Sequence, residues 1–184
     1  MAILEILTVP HPLLTQKARP VRDDEFGPGL QKHMSDMLET MYAAPGVGLA
    51  GPQVGDLRRL LVCDLPEEDD EGGSEKGIEN LCICNPEIVQ KSRDKIKWEE
   101  GCLSVPEFWD YLERPRVVTV RYRDPLGQLI EREFTDYHAV IVQHEMDHLE
   151  GVVILDMVSR LKRSRYLRKA KKDKKRLEAE AALA

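Results

Sequence analysis

The segment from Thr135 to Gly151 constrains this chain more than any other. Ala139-Val140-Ile141-Val142 is continuously apolar and runs into His144-Glu145-Met146-Asp147-His148. On a helix, positions i and i+4 lie on one face about a turn apart, so both imidazoles can reach a single ion. Two histidines on so apolar a helix are costly to bury unless something satisfies them. Thr135 or Asp136 offers an N-cap and Gly151 a C-terminal stop. Glu145 is rotated off the ligand axis, yet close enough to accept a proton from metal-bound water. A buried helix of this kind has to be surrounded, and the rest of the chain must supply the surroundings.

Those surroundings read as mixed helix and strand. Leu30, Met34, Met37, Leu38, Met41 and Ala44 recur at spacings of three and four, predicting a helix over 28–44 that Pro45 and Gly46 end. Short segments rich in β-branched or aromatic residues follow at 59–65, 81–90, 95–100, 117–123 and 128–134, and these predict strands. Asp124-Pro125-Leu126-Gly127 has the residues of a hairpin turn between the last two, so that pair is expected to be antiparallel. Leu167, Ala170, Leu177 and Ala181 give a thin apolar stripe and predict a third helix over the basic tail.

A catalytic ion takes three protein ligands and keeps one position open, so a third donor is required. No histidine follows Gly151, and the last glutamates, Glu178 and Glu180, sit far out on the charged tail. Cysteine is the better choice. Cys102 stands in Glu100-Gly101-Cys102-Leu103-Ser104, where the small neighbour lets backbone approach an ion or substrate. Cys63 lies in an apolar strand and reads as core. Cys82 and Cys84 alternate along one strand face with no second pair nearby, so packing is favoured over metal binding.

A chain of 184 residues has room for one domain and an appendage, without disulfide support. The N-terminus has no basic stretch ahead of a long apolar run, and no segment approaches eighteen consecutive apolar residues. No membrane association and a cytoplasmic location are therefore expected, with the four cysteines reduced. Charge is unevenly spread. Residues 160–176 carry eleven Lys/Arg against Asp173, leaving −16 on the remainder of a chain whose net charge is −6, while 66–79 read as an acidic surface loop. A basic extension at 160–184 implies an anionic partner.

Three blocks and their order resemble the peptide deformylases over nearly the whole chain. Gly46-Val47-Gly48-Leu49-Ala50-Gly51-Pro52-Gln53 is similar to that family's first motif, Glu100 to Ser104 to its second and His144 to His148 to its third. The opening Ile6-Leu7-Thr8-Val9-Pro10-His11-Pro12-Leu13-Leu14 resembles the family's usual start. Gly51 departs from the pattern, standing where a second alanine is common, and the missing methyl predicts a looser turn into Gln53.

The resemblance implies an α+β fold, antiparallel sheets around a central metal-binding helix, with an N-terminal helix and a basic C-terminal one. A single catalytic domain would occupy 1–159. The implied reaction is hydrolysis of the N-formyl group from the initiator methionine of nascent polypeptides, releasing formate. One divalent ion per chain would sit on Cys102, His144 and His148, Fe²⁺ in the cell, with Zn²⁺, Ni²⁺ or Co²⁺ able to replace it. Glu145 would shuttle the proton, while the Gln53 side chain and the Leu103 backbone N–H would stabilise the oxyanion. Backbone groups of Val47 and Gly48 would pair with the peptide, and Val140 and Ile141 would line the methionine pocket or else serve as helix core. Glu100 reads as a supporting acid rather than a second catalyst. The basic helix would dock a monomeric enzyme on the ribosome, near the exit tunnel. Two alternatives remain. One is a general metallopeptidase, against which Cys102 speaks. The other is a ribosome-associated binding protein with a structural metal, which would give Gln53, Leu103 and Glu145 no joint purpose.

Overall fold

The computed structural model describes residues 2–66 and 79–181, the side chains of 79 and 174–181 excepted. Helix α1 spans Pro28–Ala43 and ends where Pro45 and Gly46 require it to. Among the described residues seven strands follow: β1 (Gly48–Ala50), β2 (Leu60–Leu65), β3 (Glu79–Lys91), β4 (Lys95–Cys102), β5 (Val105–Pro115), β6 (Val117–Arg123) and β7 (Leu129–Thr135). Helix α2 (Asp136–Leu149) and helix α3 (Arg160–Ala181) complete the described chain. The architecture is α+β with antiparallel pairing, as the sequence predicts. The acidic segment expected at 66–79 lies outside the described residues except for its two ends. Among the described residues no helix is long and apolar enough to cross a membrane.

Two sheets form, one in the order β1-β2-β3-β6-β7 and the other the β4-β5 hairpin. Strand β2 shows why α2 becomes central. All six of its residues are buried, and alternation sends Leu60 and Val62 toward α1 but Leu61, Cys63 and Leu65 toward α2. On the α1 side Leu30, Met34, Met37 and Met41 close the core. Burying a side chain of that kind stabilises by about 1.5–3 kcal/mol, so a charged substitution at Met37 would break this layer. On the other side Ala139, Ile141, Val142, Met146 and Leu149 pack against the sheet with Phe134 and Val120. A third cluster joins Val105 and Leu112 of β5 to Leu14 and to Val153–Leu155, so the second sheet covers what the first leaves open.

The cysteines fall as the sequence suggests: all four are free, Cys63 is fully buried, and Cys84 packs with its sulfur 3.6 Å from that of Met34. The turn at 124–127 holds too, with Gly127 N–H donating to the Asp124 carbonyl and Leu126 N–H to its side chain. Two expectations change. Neither Thr135 nor Asp136 caps α2 through its side chain: Thr135 makes no such bond, and the Asp136 carboxylate accepts from Arg116 Nε at 2.6 Å instead. The sequence pattern marks neither β1 nor β5 as a strand. The first has only three residues, and the second is bounded by prolines and exposes Trp109 and Tyr111, so neither carries a clean alternating pattern.

The N-terminal segment laces the three motif regions together. Leu7 N–H donates to the Gln53 carbonyl at 2.7 Å and Val9 N–H to that of Ser104 at 2.9 Å, while Ala18 N–H reaches Leu149 at the end of α2.

Candidate metal and hydrolytic site

Helix α2 presents His144 and His148 on one face, their rings 5.1 Å apart, and the end of β4 brings Cys102 against them. Cys102 Sγ lies 3.3 Å from His148 Nε2, and one ligand atom from each of the three residues falls within 4.8 Å of the others. Burial, with positively charged His144 and Arg114 nearby, holds His148 well below its ordinary pKa, leaving a neutral imidazole. Burial acts on His144 in the same sense, but Cys102 and Glu100 override it and hold that ring well above. Partners that favour a proton on His144 favour a divalent cation in its place. Thiolate and imidazole donors at these separations fit such an ion.

One histidine is oriented from behind. His144 Nδ1 is 2.8 Å from Glu100 Oε2, and Arg114 reaches both oxygens of Glu100, Nε at 2.6 Å and Nη2 at 2.9 Å. Arg114 also donates to Asp147 at 2.8 Å. Burial pushes Glu100 up, but the hydrogen bonds to His144 and Arg114 hold it below the usual carboxylate range. Glu100 is thus a supporting acid by position. Arg114 and Asp147 were not legible in the sequence: β5 was unrecognised, and only the folding of the hairpin over α2 buries that guanidinium. The reading of Glu100 as a supporting acid was the one signal that called for a cation.

Glu145 lies on the cavity side, next in sequence to His144. Burial pushes its carboxyl up to about 7, and its Oε2 has no hydrogen-bond partner among the described residues. A Cβ on Gly48 would stand 2.7 Å from Glu145 Cδ, so the first motif needs glycine there to admit the carboxylate. Gln53, almost wholly buried, accepts from Ala50 N–H through Oε1 at 2.7 Å, which aims its NH₂ at Ser104 Oγ, 3.2 Å away, and toward Cys102 Sγ at 3.7 Å.

Gly51 corrects the expectation of a loose turn. A Cβ there would meet the carbonyl oxygens of Asp56 and Arg58 at 2.6 and 2.9 Å, so neighbouring backbone fills the space of the missing methyl. The 3-10 turn Gly51–Val54 is closed further by Asp56 N–H on the Gly51 carbonyl at 2.9 Å.

These groups converge on a cavity of about 390 Å³ lined by Val47, Gly48, Gln53, Leu103, Val140 and Ile141 as well as Cys102, His144 and Glu145. Trp98 and Tyr137, stacked with ring centroids 4.8 Å apart, also line the cavity. Every residue the sequence nominated for the site, except the wholly buried His148, lines this cavity. Val140 and Ile141 are both helix core and cavity wall. Val47 and Gly48 differ: the Val47 carbonyl accepts from Asp64 N–H at 2.9 Å, toward β2, so by strand alternation Gly48 turns its backbone groups to the open edge of β1.

An α+β frame with a buried H-E-x-x-H helix, a cysteine donor and a supported carboxylate defines a metal-dependent hydrolase. A model of the polypeptide deformylase family matches residues 3–164. The peptide deformylase of Phenylobacterium zucineum is 50% identical over 177 residues, 95% of this chain and 99% of that protein. Among solved structures, the peptide deformylase of Ehrlichia chaffeensis in complex with actinonin aligns with a TM-score of 0.86 at 41% identity, covering 94% of this chain and 98% of that one. A peptide deformylase from Legionella pneumophila aligns at 0.81 with 42% identity, covering 97% and 98%. The chain belongs to the polypeptide deformylase family, metal-dependent hydrolases that deformylate nascent peptides.

Proposed function

We propose that this deformylase holds one divalent ion, Fe²⁺ in the cell, on Cys102, His144 and His148, and acts on the formylated initiator methionine with Glu145, Gln53 and Leu103 as its catalytic groups. The observation that carries the reading is the meeting of three potential ligand atoms, two of them from the cavity-lining Cys102 and His144, beside the buried carboxyl of Glu145, whose Oε2 has no hydrogen-bond partner among the described residues. When bound, the ion supplies a Lewis acid that acidifies water and polarises the formyl carbonyl, and Zn²⁺, Ni²⁺ or Co²⁺ suits the same donors.

The chain's own groups do the rest. Glu145 takes the proton of the attacking water on its carboxylate and delivers it to the amine nitrogen as the C–N bond breaks, releasing formate and the free N-terminus. Gln53 Nε2 carries two protons; one is engaged by Ser104, and the other, opposed only by a long sulfur contact, donates to the oxyanion together with Leu103 N–H. Gly48, with Val47 beside it, reads the peptide main chain from the edge of β1. Val140 and Ile141 take the methionine side chain against the aromatic pair Trp98 and Tyr137. Residues 1–159 form the catalytic body of a cytoplasmic monomer. The extension 160–184 docks it on the ribosome, where RNA phosphates match its charge.

Anaerobic purification, metal analysis and a formate-release assay on a formyl-methionyl peptide test the reading. The wild type should release formate, and Cys102→Ala should lose both metal and activity. A fully metallated, active alanine variant would remove Cys102 from the ligand set. Reversing Arg165 and Arg168 to Glu should weaken ribosome binding and reduce its salt dependence; unchanged binding would refute docking through the helix.

A further inference from the structure

We infer that α3 is a strap on the mouth of the cavity, and that Lys162, Tyr166 and Lys169 are positioning residues for the part of the peptide beyond formyl-methionine. This rests on the deformylase reading. The cavity runs from a buried floor at His144 and Glu145 to a mouth on β5, where Glu107 exposes 78% of its side chain and Trp109 is 67% exposed. A peptide whose formyl group reaches the floor must lay its later residues across that mouth.

Spacings of four and three put residues 162, 166 and 169 on one face of α3; Tyr166 and Lys169 hold residues of the mouth itself, and Lys162 holds Asp110, which follows the mouth residue Trp109 on β5. Lys162 Nζ donates to both Asp110 oxygens at 2.8 and 2.7 Å, Tyr166 OH to the Pro106 carbonyl at 3.0 Å, and Lys169 Nζ to Glu107 Oε2 at 2.7 Å. The Tyr166 ring also meets Phe108 edge-on, centroids 5.5 Å apart. The gripped segment needs holding. Glu107 has φ +58, a left-handed conformation that a non-glycine residue rarely adopts unless its surroundings impose it. Arg160, Arg168 and Lys171 lie on the opposite face of α3 and stay open to an anionic surface while the strap is closed. The family match ends at residue 164, so Tyr166 and Lys169 lie beyond it.

The test uses the full-length metallated protein and two readouts. The first is formate release from formyl-Met-Ala and from a formyl-methionyl pentapeptide, by the wild type, Lys162→Glu, Tyr166→Phe, Lys169→Ala and the charge swap Asp110→Lys with Lys162→Glu. Exposed contacts are individually weak, so each loss should raise KM for the pentapeptide about two- to fivefold, with kcat and the dipeptide KM unchanged and the swap restoring the wild-type value. The second is amide hydrogen exchange, which needs no turnover: residues 107–110 should exchange faster in the variants while α2 does not. Equal KM changes for both peptides, a fall in kcat alone, or unchanged exchange at 107–110 would overturn the strap. A wild type that releases no formate would instead overturn the deformylase reading, and the exchange experiment would still decide the strap.

Discussion

The carboxylate of Glu145 lies against the Cα of Gly48, so close that a Cβ on the glycine would stand 2.7 Å from Glu145 Cδ. The first and third motifs are thereby one device: strand β1 leaves out a side chain where helix α2 needs room for its acid. Gly48→Ala should force Glu145 out of line. A mispositioned general acid–base costs about 10²- to 10⁴-fold. The expected outcome is a kcat lowered to that extent with one metal per chain retained, read by steady-state kinetics beside metal analysis.

Arg114 joins Glu100 to Asp147 in the interior, with 5% of its side chain exposed. Arg114→Met would leave Glu100 buried without its cation, and breaking such a pair costs about 3–5 kcal/mol. For a chain of this size each kcal/mol moves Tm by about 2–4 °C. A thermal melt should therefore fall by roughly 6–20 °C, and the variant should release its metal to a chelator faster than the wild type.

Removing the metal should cost stability as well as activity, because only the folded chain brings Cys102, His144 and His148 together. At a free ion concentration a hundredfold above Kd the linkage is worth about 2.7 kcal/mol. Calorimetry with and without chelator should show a lower Tm after stripping, restored by Fe²⁺, Co²⁺, Ni²⁺ or Zn²⁺. An identical Tm would mean the three groups hold nothing.

Gly51→Ala, which restores the residue common in the family, should destabilise this chain. The added methyl meets two backbone carbonyl oxygens, which must shift to admit it, and overpacking of that kind costs about 1–3 kcal/mol. A urea titration should show a lower midpoint at unchanged slope, and kcat should drop as Gln53 shifts.

Burial pushes Asp56 up, but hydrogen bonds from His33 and Arg58 outweigh it and hold the carboxyl well below its ordinary range. With the folded value depressed, the stabilisation is complete above the unfolded value near 4 and drains as pH falls through the folded one. Arg58→Leu should raise that folded value and move the acid-unfolding midpoint to higher pH, as followed by circular dichroism.

Periodicity and composition alone determined the three α-helices, α2 with its H-E-x-x-H segment among them, and five of the seven strands of the described residues, because repeats of 3.6 and 2 are written locally. The i, i+4 spacing that puts His144 and His148 on one face was equally local. Cys102 came from elimination and from the motif blocks. Tertiary structure decided the remainder. Arg114 became the cation behind Glu100 only when the β4-β5 hairpin folded over α2, a contact no local pattern encodes. The meaning of Gly51 also reversed in three dimensions, since the atoms that fill its missing methyl belong to residues 56 and 58. Likewise α3, legible as a basic helix, became a strap only because its Lys162, Tyr166 and Lys169 face meets a strand that the sequence left unmarked. Side-chain periodicity reports which face of an element is apolar; which other element lies against it depends on long-range packing.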